Sequence, residues 1–375
     1  MQSNNNGISN GVNKRIAIII SPNYKDYAEK YLADFLASLR KQDYAGEMKI
    51  FITDNKSTEE SFKYLKNILF GAEIVRNKNN DGFAKGNNDA IKKALEQGAD
   101  YIILFNMDTV LEADCVRKMA EAAEEDKIPP APFAKGGKIG AVQARLMLYN
   151  DKNKINSLGN VTHFLGFGYS KRYGEEYKSP QPPLLKRVEI CYPSGAAVLF
   201  TREALEKVGL FDEKFWMYNE DQDLGWRLWL SDFKCVLAGE AVVYHKYEFS
   251  RSIKKYYFMD RNRIIAMLKN YRWATLLLIA PAFLAMEIGL LFFSLSNGWF
   301  KEKINVYKYF LSFKNWRYII EARKLTQKLR QVKDKNIIKL FSGKIWYQEI
   351  GDRRLKFANV VFGAYWKIIK VLIVW

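Results

Sequence analysis

The residues of this chain best suited to chemistry are acidic and lie within 218–227, which reads YNEDQDLGWR. Glu220, Asp221 and Asp223 fall in the first turn of a predicted helix, where acids also offset the helix dipole. Three acids exceed what capping needs, and the residues just before them, 215–218, supply an apolar wall of sequence FWMY. A carboxylate beside such a wall becomes more basic and can act as a general base. We therefore predict catalysis at this helix start.

A second group could bind a metal ion. Asp108 follows the apolar strand at 101–105, and His245, one of only two histidines in the chain, closes a later strand. A carboxylate oxygen suits Mg²⁺ or Mn²⁺, and an imidazole nitrogen favours Mn²⁺. A lone histidine is more often structural than a ligand; nearby acids favour the ligand for His245, whereas His163 lacks them and is interpreted as structural. Metal ligands beside an acidic helix start would suit metal-assisted transfer from a nucleotide-activated donor.

Polar residues also follow three predicted strands, at 21–23, 54–55 and 106–108. Ligands of parallel α/β sheets bind beyond the carboxyl ends of the strands. Each element alone is a weak signal, because Asp and Asn there usually form a turn or cap a helix, but three together favour a ligand site. The segment 77–88 adds two glycines and several amides before a helix predicted to begin at 86–88, where the N-terminus favours a phosphate. The alternative for this segment is a flexible surface loop.

Apolar strands alternate with helical patterns from residue 15 to about residue 145, and these elements must position the polar groups. A capping box of Ser57 and Glu60 opens one of the helices. The order βαβα predicts a mostly parallel sheet with helices on both faces. A helix from Asn219 and two strands, at 233–237 and 241–244, complete the body. The strands predicted in the alternating part lie at 16–20, 49–53, 72–75 and 101–105.

The net charge of +18 is distributed unevenly along the 375 residues. Residues 1–250 carry 34 basic and 34 acidic side chains, whereas residues 251–375 carry 25 basic and 7 acidic ones. A neutral body with a basic tail indicates an anionic partner. Because the tail is also rich in Trp, Phe, Leu and Ile, an anionic membrane surface is favoured, and we expect no nucleic-acid partner.

Three ranges divide the chain. We predict a polar, disordered lead-in at 1–13, a catalytic domain at 14–250, and a helical, membrane-associated region at 251–375. The lead-in has no apolar segment of the kind that signal peptides carry. Three cysteines without paired spacing argue against disulfides and a zinc site, and fit a reducing compartment. We therefore expect the body at the cytoplasmic face of a membrane, bound peripherally or monotopically.

Two apolar segments could provide that attachment. Residues 274–295 are long enough to span a bilayer, but Pro281 and Glu287 interrupt them. An interfacial or re-entrant segment is therefore at least as good an interpretation as a transmembrane one. Residues 357–375 mix aromatic side chains with lysines, as an interfacial helix does. The alternative is that both segments are ordinary core.

Taken together, these motifs resemble those of glycosyltransferase family 2, in particular its rhamnosyltransferase-like bacterial members. The resemblance covers roughly residues 15–270 and implies a GT-A fold, with a Rossmann-like, mostly parallel sheet, and inverting transfer from a nucleotide sugar. One departure is that the Asp-x-Asp motif of the family stands here as NMD, at 106–108, so its first position supplies no carboxylate. The motifs, in chain order, are Pro22-Asn23, Asp54-Asn55-Lys56-Ser57, the segment 79–88, Asn106-Met107-Asp108-Thr109, Ser194-Gly195-Ala196 and Glu220-Asp221-Gln222-Asp223-Leu224.

The resemblance also implies roles for individual residues. Asp54 would bind the nucleotide base, and Asn87 with the glycine loop would bind the ribose or the diphosphate. Asp108 and His245 would hold Mn²⁺ or Mg²⁺ against the departing diphosphate, and Asp221 would deprotonate the acceptor hydroxyl as it attacks the anomeric carbon. The donor site is expected to contain Pro22, Asn23, Asp54, Asn55, Gly82, Phe83, Asn87 and Asn106. The acceptor and sugar side is expected to contain Ser194, Gly195, Trp216, Glu220 and Arg227.

The expected donor is a dTDP- or UDP-sugar, with rhamnose favoured, and the expected acceptor is a lipid-linked or cell-surface glycan, as in polysaccharide or cell-wall biosynthesis. Two alternatives stay open. One is a polyprenyl-phosphate glycosyl synthase, whose acceptor is a phosphate. The other is a non-catalytic, nucleotide-sugar-binding membrane scaffold. The aromatic region at 164–177, interpreted as an acceptor-side loop, favours a glycan acceptor over the polyprenyl phosphate.

Overall fold

The computed structural model describes residues 14–124, 137–178, 188–247, 253–346 and 353–375, the last range without the side chains of its first two residues. The predicted disordered lead-in at 1–13 lies outside the described residues. So do residues 125–136 and residues 179–187.

A central mixed sheet organises the fold, and its core is parallel. β1 pairs in parallel with β2 and β4, and β2 with β3; β11 joins antiparallel between β4 and β6, and β12 runs parallel to β6. This confirms the predicted α/β class with a mostly parallel sheet. The strands are β1 (Ile16–Asn23), β2 (Met48–Asn55), β3 (Glu73–Asn77), β4 (Tyr101–Phe105), β5 (Thr109–Leu111), β6 (Ile139–Leu148), β7 (Ile155–Ser157), β8 (Asn160–Thr162), β9 (Gly168–Ser170), β10 (Val188–Glu189), β11 (Ala197–Thr201) and β12 (Lys234–His245).

Helices cover both faces of this sheet and continue beyond it to the C-terminus. α1 to α6 are interleaved with the strands, whereas α7 to α12 follow the last strand and pack on one another and on α6. The helices are α1 (Tyr27–Leu39), α2 (Glu59–Ile68), α3 (Gly82–Glu96), α4 (Cys115–Glu124), α5 (Arg202–Val208), α6 (Glu220–Leu230), α7 (Lys254–Asn270), α8 (Trp273–Ser296), α9 (Phe300–Leu311), α10 (Phe313–Leu329), α11 (Asp334–Ile337) and α12 (Arg353–Leu372).

Three local predictions need correction. α3 begins at Gly82 rather than at 86–88, because this glycine adopts φ +80° and turns the chain into the helix one turn earlier. The cap of α2 is Thr58 rather than Ser57: its hydroxyl accepts a hydrogen bond from the Ser61 N–H at 3.1 Å. The two strands predicted at 233–237 and 241–244 form one strand, β12, which pairs with β6 on both sides of an irregularity.

Alternation along the central strands divides the core into two clusters. Ile16, Ile18 and Ile20 of β1 face one side of the sheet, where α1 and α4 pack, and Ala17 and Ile19 face the other. This period of two explains why an uninterrupted apolar run forms a strand that is buried on both faces.

The C-terminal helices extend the second of these clusters. Ile279 and Met286 of α8, and Trp366 and Ile369 of α12, belong to the same buried cluster as Trp226 of α6. The boundary between a domain at 14–250 and a region at 251–375 stays a prediction. Among the described residues, α8 is the one helix that is long and apolar enough to cross a membrane by length and composition.

Candidate functional site

The carboxyl ends of β1 and β2 bring Asn23 and Asp54 together, as the parallel register requires. The amide nitrogen of Asn23 donates to Asp54 Oδ1 at 3.1 Å, and its amide oxygen accepts from the N–H of Ala28 at 3.1 Å. Arg76 Nε lies 3.5 Å from the other Asp54 oxygen, Oδ2, which is buried and has no hydrogen-bond partner among the described residues. Asn23 therefore orients Asp54 and leaves one of its buried oxygens as an acceptor for a ligand.

The first turns of α3 are fixed on these strand ends. Asn55 donates to the Gly82 carbonyl at 2.9 Å, and Thr53 donates to the Gly86 carbonyl at 2.7 Å. A Cβ at Gly86 would lie 2.5 Å from Pro22 and 2.8 Å from Asn55, so only glycine allows this approach of helix and strands. Pro22 and Asn55 thus position the helix start by packing and hydrogen bonding.

Asn87 lies one turn into α3 and is fully buried. Its amide nitrogen donates to the Phe83 carbonyl at 2.9 Å, while its amide oxygen has no hydrogen-bond partner among the described residues. The oxygen of Asn87 is therefore a buried acceptor without a hydrogen-bond donor among the described residues, whereas Asp54 Oδ2 lies near the Arg76 cation.

Asp108 and His245 meet at the end of β4 and β12, although they are far apart in sequence. Asp108 Oδ1 lies 3.3 Å from His245 Nε2 and has no hydrogen-bond partner, and the Asn106 amide oxygen is also buried without one in the described part of the chain. His245 Nδ1 lies 3.0 Å from Asn156 Oδ1. An Nδ1–H donated to this oxygen would leave the Nε2 lone pair directed at Asp108.

These donors fit a divalent metal ion of the Mn²⁺ or Mg²⁺ class. Asp108 supplies an oxygen that lacks a partner, and His245 supplies a nitrogen that a neighbouring amide orients. The described residues contain no group of three or more His, Cys, Asp or Glu side chains placed to hold a metal. A two-ligand set is typical of ions that complete their coordination with water and substrate phosphates.

Asp221 lies at the start of α6 and is held there by backbone N–H groups. Its carboxylate accepts hydrogen bonds from the N–H of Gly195 at 3.3 Å and of Gln222 at 2.8 Å, and no cation pairs with it in the described residues. Burial raises its pKa to about 6, although both N–H donors oppose the rise. The neighbouring Glu220 is buried, and burial together with the Asp221 charge raises its pKa well above the usual range.

The backbone connects this acid to the metal ligands and to the donor side. Gly195 binds the Asp221 carboxylate, and the carbonyl of the next residue, Ala196, accepts from the Asn106 N–H at 2.9 Å. The N–H of Ser194, in the same segment, donates to a glutamine at 2.7 Å. A Cβ at Gly195 would lie 3.3 Å from Phe83 of α3, so this segment joins both halves of the site.

Trp216, expected on the acceptor side, packs against the first turn of α3. Its carbonyl accepts from the N–H of Ala84 at 3.1 Å, and its indole lies so close to Gly82 that a Cβ there would approach within 2.6 Å. The ring also stacks on Phe258 of α7, with centroids 4.8 Å apart. The predicted apolar wall is thus in contact with the first turn of α3.

Arg227 is not brought to this group. Its guanidinium donates to Asp223 at 3.0 Å and to the carbonyls of Val208 at 2.6 Å and Leu210 at 2.7 Å. Asp223 is itself saturated, because Lys269 and Asn270 of α7 donate to it at 3.0 and 2.9 Å. Arg227 and Asp223 therefore fix α6 on its neighbours.

Only part of the aromatic region at 164–177 is free to serve as an acceptor-side loop. Phe164 and Leu165 are fully buried, and Phe164 stacks on Trp366 of α12 at 4.8 Å. His163, interpreted as structural, is 1% exposed, and burial lowers its pKa to about 3.

Sequence reasoning missed a residue that supports the turn before α6, residues 216–219. Trp216, Tyr218 and Asn219 all have left-handed backbones, with φ of 62°, 69° and 64°. Asn262 of α7, fully buried, lies 2.9 Å from the Phe215 carbonyl and 2.7 Å from that of Tyr218. Three such non-glycine residues cost roughly 1 to 2 kcal/mol each, so the turn depends on this support. No spacing in the sequence pairs positions more than forty residues apart.

The family model described as Glycosyl transferase family 2 matches residues 18–209, just over half of the chain. A comparison with curated proteins found no match.

Several solved structures align over much of the chain at low identity. The crystal structure of S. aureus TarS 1–349 in complex with UDP is 16% identical, with a TM-score of 0.48, over 95% of this chain and 90% of that one. The mannosyltransferase PcManGT from Pyrobaculum calidifontis, in complex with GDP-Man and Mn²⁺, is 14% identical, with a TM-score of 0.44, over 84% and 87%. GalNAc-T7 with UDP, GalNAc and Mn²⁺ is 13% identical, with a TM-score of 0.48; the alignment covers 68% of this chain and 48% of that protein.

Proposed function

We propose a specific reaction for this chain, which belongs to glycosyltransferase family 2. It transfers a sugar, with inversion, from a dTDP- or UDP-sugar to a hydroxyl of a lipid-linked or cell-surface glycan. As a family member it is a glycosyltransferase that uses nucleotide-sugar donors. Rhamnose is the favoured sugar, on the resemblance of its motifs to rhamnosyltransferase-like members. The observation that carries the mechanism is the unpaired, half-buried carboxylate of Asp221 at the N-terminus of α6.

Asp221 is the proposed general base. Its pKa of about 6 leaves it ionised at neutral pH, yet makes it more basic than an exposed aspartate. It takes the proton from the acceptor hydroxyl while that oxygen forms a bond to the anomeric carbon. The bond from this carbon to the diphosphate oxygen breaks on the opposite face, so the configuration inverts and the nucleoside diphosphate leaves with the electron pair.

Two N–H groups hold the carboxylate ready for this step. Gly195 and Gln222 donate to different oxygens of Asp221, which fixes the plane of the carboxylate without neutralising it. Burial and the Asp221 charge raise the pKa of the neighbouring Glu220 well above its usual range, so Glu220 holds its proton more strongly than an exposed glutamate does. We propose that Asp221 carries the negative charge of this pair.

The donor is proposed to bind across the strand ends and the start of α3. The buried Oδ2 atom of Asp54 has an acceptor position to offer, which suits the N3–H of uracil or thymine. The amide oxygen of Asn87 offers another, which suits a ribose hydroxyl. Both acceptors are buried without a hydrogen-bond partner among the described residues, and Asp54 Oδ2 has the Arg76 cation 3.5 Å away, so a bound nucleotide would satisfy them.

Asp108 and His245 are proposed to hold Mn²⁺ or Mg²⁺. Such an ion, when bound, would neutralise the charge that develops on the departing diphosphate. Asn156 orients the imidazole of His245 through its contact with Nδ1. Asn106, two residues before Asp108, has a further amide oxygen. Since the first position of the family's Asp-x-Asp motif is Asn106 here, we expect modest metal affinity.

The chain is also proposed to work at the cytoplasmic face of a membrane. The basic, apolar-rich C-terminal third supports this location, because it would bring the site to a lipid-linked acceptor. Cys115, Cys191 and Cys235 are free and buried, as a reducing compartment allows.

Calorimetric titration of UDP, dTDP, GDP and CDP, with and without Mn²⁺, tests the donor part of the proposal. We expect one pyrimidine diphosphate to bind more tightly with Mn²⁺, and Asp108→Ala to remove the metal dependence. Asp114→Ala is the matched control, because this acid lies on the surface near Lys118. Metal-independent binding would contradict the metal assignment, and no binding of any nucleotide would contradict the donor site.

The acceptor class is tested with donor turnover. Incubation with the donor identified above and either a glycan acceptor or a polyprenyl phosphate should give product only with the glycan. Product formed on the phosphate would replace our proposal with a polyprenyl-phosphate synthase. NMR of the product measures the anomeric configuration, and retention would contradict the one-step displacement.

A further inference from the structure

The apolar helix α8 has two different faces. Residues on one face, among them Ile279 and Met286, are buried in the core of the body. On the other face large apolar side chains are uncovered, although α8 has no charged residue there. These exposed residues, whose spacing of seven, four, four and three places them on one side of the helix, are Leu277, Leu284, Ile288, Phe292 and Leu295, with 76, 62, 60, 63 and 55% exposure.

Glu287, the only charged residue of α8, points into the body. It forms ion pairs with Arg263 of α7 and with Lys303 of α9, the latter at 2.6 Å. Asp260 closes the cluster, 2.7 Å from Lys303, and all four side chains are buried. Because separating a buried ion pair leaves charges uncompensated, α8 is fixed along the body on this side.

α12 repeats this two-faced pattern beside α8. Trp366 and Ile369 are buried in the core, whereas Phe357, Ile368 and Val371 are 72, 66 and 76% exposed. The two helices are in contact, and the hydroxyl of Tyr365 on α12 donates to a carbonyl of α8 at 2.6 Å. Their uncovered faces therefore belong to neighbouring elements of one surface.

Basic side chains border both apolar faces. Arg272 directly precedes α8 and Lys301 follows it, and both are exposed. On α12, the exposed Lys356 and Lys367 lie beside the apolar stripe. A large apolar surface bordered by positive charge matches an anionic lipid interface, which accepts apolar side chains below its headgroups and attracts lysine and arginine at them.

We propose that the outward faces of α8 and α12 seat the protein on one leaflet of an anionic membrane, with α8 lying in the plane of the interface instead of crossing the bilayer. A crossing helix would need an apolar or partnered surface all round through about 30 Å of hydrocarbon. The inner face of α8 is instead joined to α7 and to the ionic cluster, which would have to enter the lipid with it. The inference rests on the membrane location in the proposed function and deepens it, by naming the surface that contacts the lipid and the orientation of α8.

Co-sedimentation of the full chain with vesicles tests the surface. We expect binding to vesicles of phosphatidylcholine with phosphatidylglycerol, and weaker binding to phosphatidylcholine alone. Leu284→Glu with Ile288→Glu should weaken binding at least about tenfold, because two exposed apolar contacts are replaced by charges that anionic lipid repels. Phe70→Glu is the matched control: Phe70 is fully exposed but lies outside α8 and α12, so vesicle binding should not change.

The orientation of α8 is tested by the depth of single labels. The three native cysteines are buried, so a fluorophore on Leu277→Cys, Leu284→Cys or Leu295→Cys can be attached selectively. These positions span 18 residues, about 27 Å of helix. We expect all three labels to be quenched equally by lipids brominated at one depth. A gradient of depth along the helix, or a label reaching the opposite leaflet, would overturn the proposal.

Further outcomes have defined meanings. Failure of the wild-type chain to bind anionic vesicles would overturn the proposal, and so would light scattering of a dimer that Leu284→Glu with Ile288→Glu makes monomeric. Nucleotide binding, measured on the same samples, reports separately on the proposed donor site and on folding. Loss of vesicle binding with intact nucleotide binding therefore isolates the membrane surface from the catalytic proposal.

Discussion

Asp221 and Asp223 lie two residues apart in the first turn of α6, yet their surroundings are opposite. Asp221 is half-buried, accepts two backbone N–H groups and has no cation nearby among the described residues. Asp223 is fully buried and is met by Arg227, Lys269 and Asn270. Both acids lie in the same turn, so the contrast comes from the partners around them. Arg227 of α6 and two residues of α7 meet Asp223, whereas the loop before β11 supplies Asp221 with a backbone N–H.

The contrast separates reactivity from anchoring. A carboxylate held by two cations is neutralised and rigid, and has little tendency to take a proton. A carboxylate with N–H donors but no cation keeps its charge and becomes more basic on burial. The helix start therefore contains one acid suited to proton transfer and, half a turn further on, one acid that fixes its position.

The largest effect is expected from Asp221→Asn. An asparagine keeps the shape of the side chain but cannot take the acceptor proton, so we predict a loss of transfer rate of about 10² to 10⁴-fold. Nucleotide binding by calorimetry and the melting temperature should stay close to wild type. A fall in nucleotide affinity to match the rate would mean that Asp221 binds donor and is not the base.

Asp223→Asn tests the anchoring role of the second acid, through its effect on stability. Removing one partner of a buried ionic group costs about 3 to 5 kcal/mol, because Arg227 and Lys269 lose the charge that compensates them. Chemical denaturation should report this as a loss of free energy of unfolding. Asp43→Asn is the control: it removes the same group from an exposed pair with Arg117 and should cost less than about 1 kcal/mol. Equal losses in the two variants would refute the anchoring role of Asp223.

A smaller effect is expected from Asn262→Ala. This substitution removes the amide that hydrogen-bonds to the carbonyls of the turn before α6, and should cost about 1 to 3 kcal/mol of stability. Because the turn positions both Trp216 and Asp221, kcat should fall more than KM rises. Asn219→Gly relieves one left-handed residue of the same turn and should recover part of the stability. A pure loss of stability with unchanged kcat would limit Asn262 to a structural role.

The sequence allowed the sheet and the strand-end residues to be predicted, because both follow from local pattern. The uninterrupted apolar run at 16–20 predicted β1 as a buried strand. Because neighbouring parallel strands end at the same edge of the sheet, Asn23 and Asp54 meet as expected. The pairing of Asp108 with His245 was also expected, first from a carboxylate and an imidazole at the ends of two strands and then from the family resemblance. Arg227 was expected on the acceptor side, but its guanidinium is occupied by Asp223 and by carbonyls 17 to 19 residues earlier, partners that no local pattern reports.

Side chains that support the site from distant positions in the sequence could not be predicted either. Asn262 and Asn156 act on the turn and on His245 from positions 44 to 89 residues away, and no local periodicity reports such a distance. The two-faced character of α8 was equally hidden. Its sequence is apolar nearly all round, and only the packing of α7 and α9 decides which side is covered.

The pH dependence of activity and of stability tests the raised pKa of Asp221. With the pKa of Asp221 at about 6, kcat/KM should rise as pH increases through that value, because the base must be ionised. Stability should move the other way: a carboxyl whose pKa is higher in the folded state stabilises the fold at low pH, and this contribution is lost as pH rises through about 6. Denaturation at pH 4.5 and 7.5 measures this decrease in the free energy of unfolding. The part that Asp221 causes should be absent in Asp221→Asn and present in Asp43→Asn.

Glu220→Gln distinguishes which member of the acidic pair titrates first, and it is the smallest change we predict. We predict that Glu220 keeps its proton while Asp221 ionises, since burial and the Asp221 charge raise the pKa of Glu220 well above its usual range. A glutamine resembles that protonated form, so the apparent pKa of kcat/KM should stay within about half a unit of wild type. A marked fall of this pKa in the variant would show that Glu220 already carries charge, and the proton would then be shared between the two acids instead of being taken by Asp221 alone.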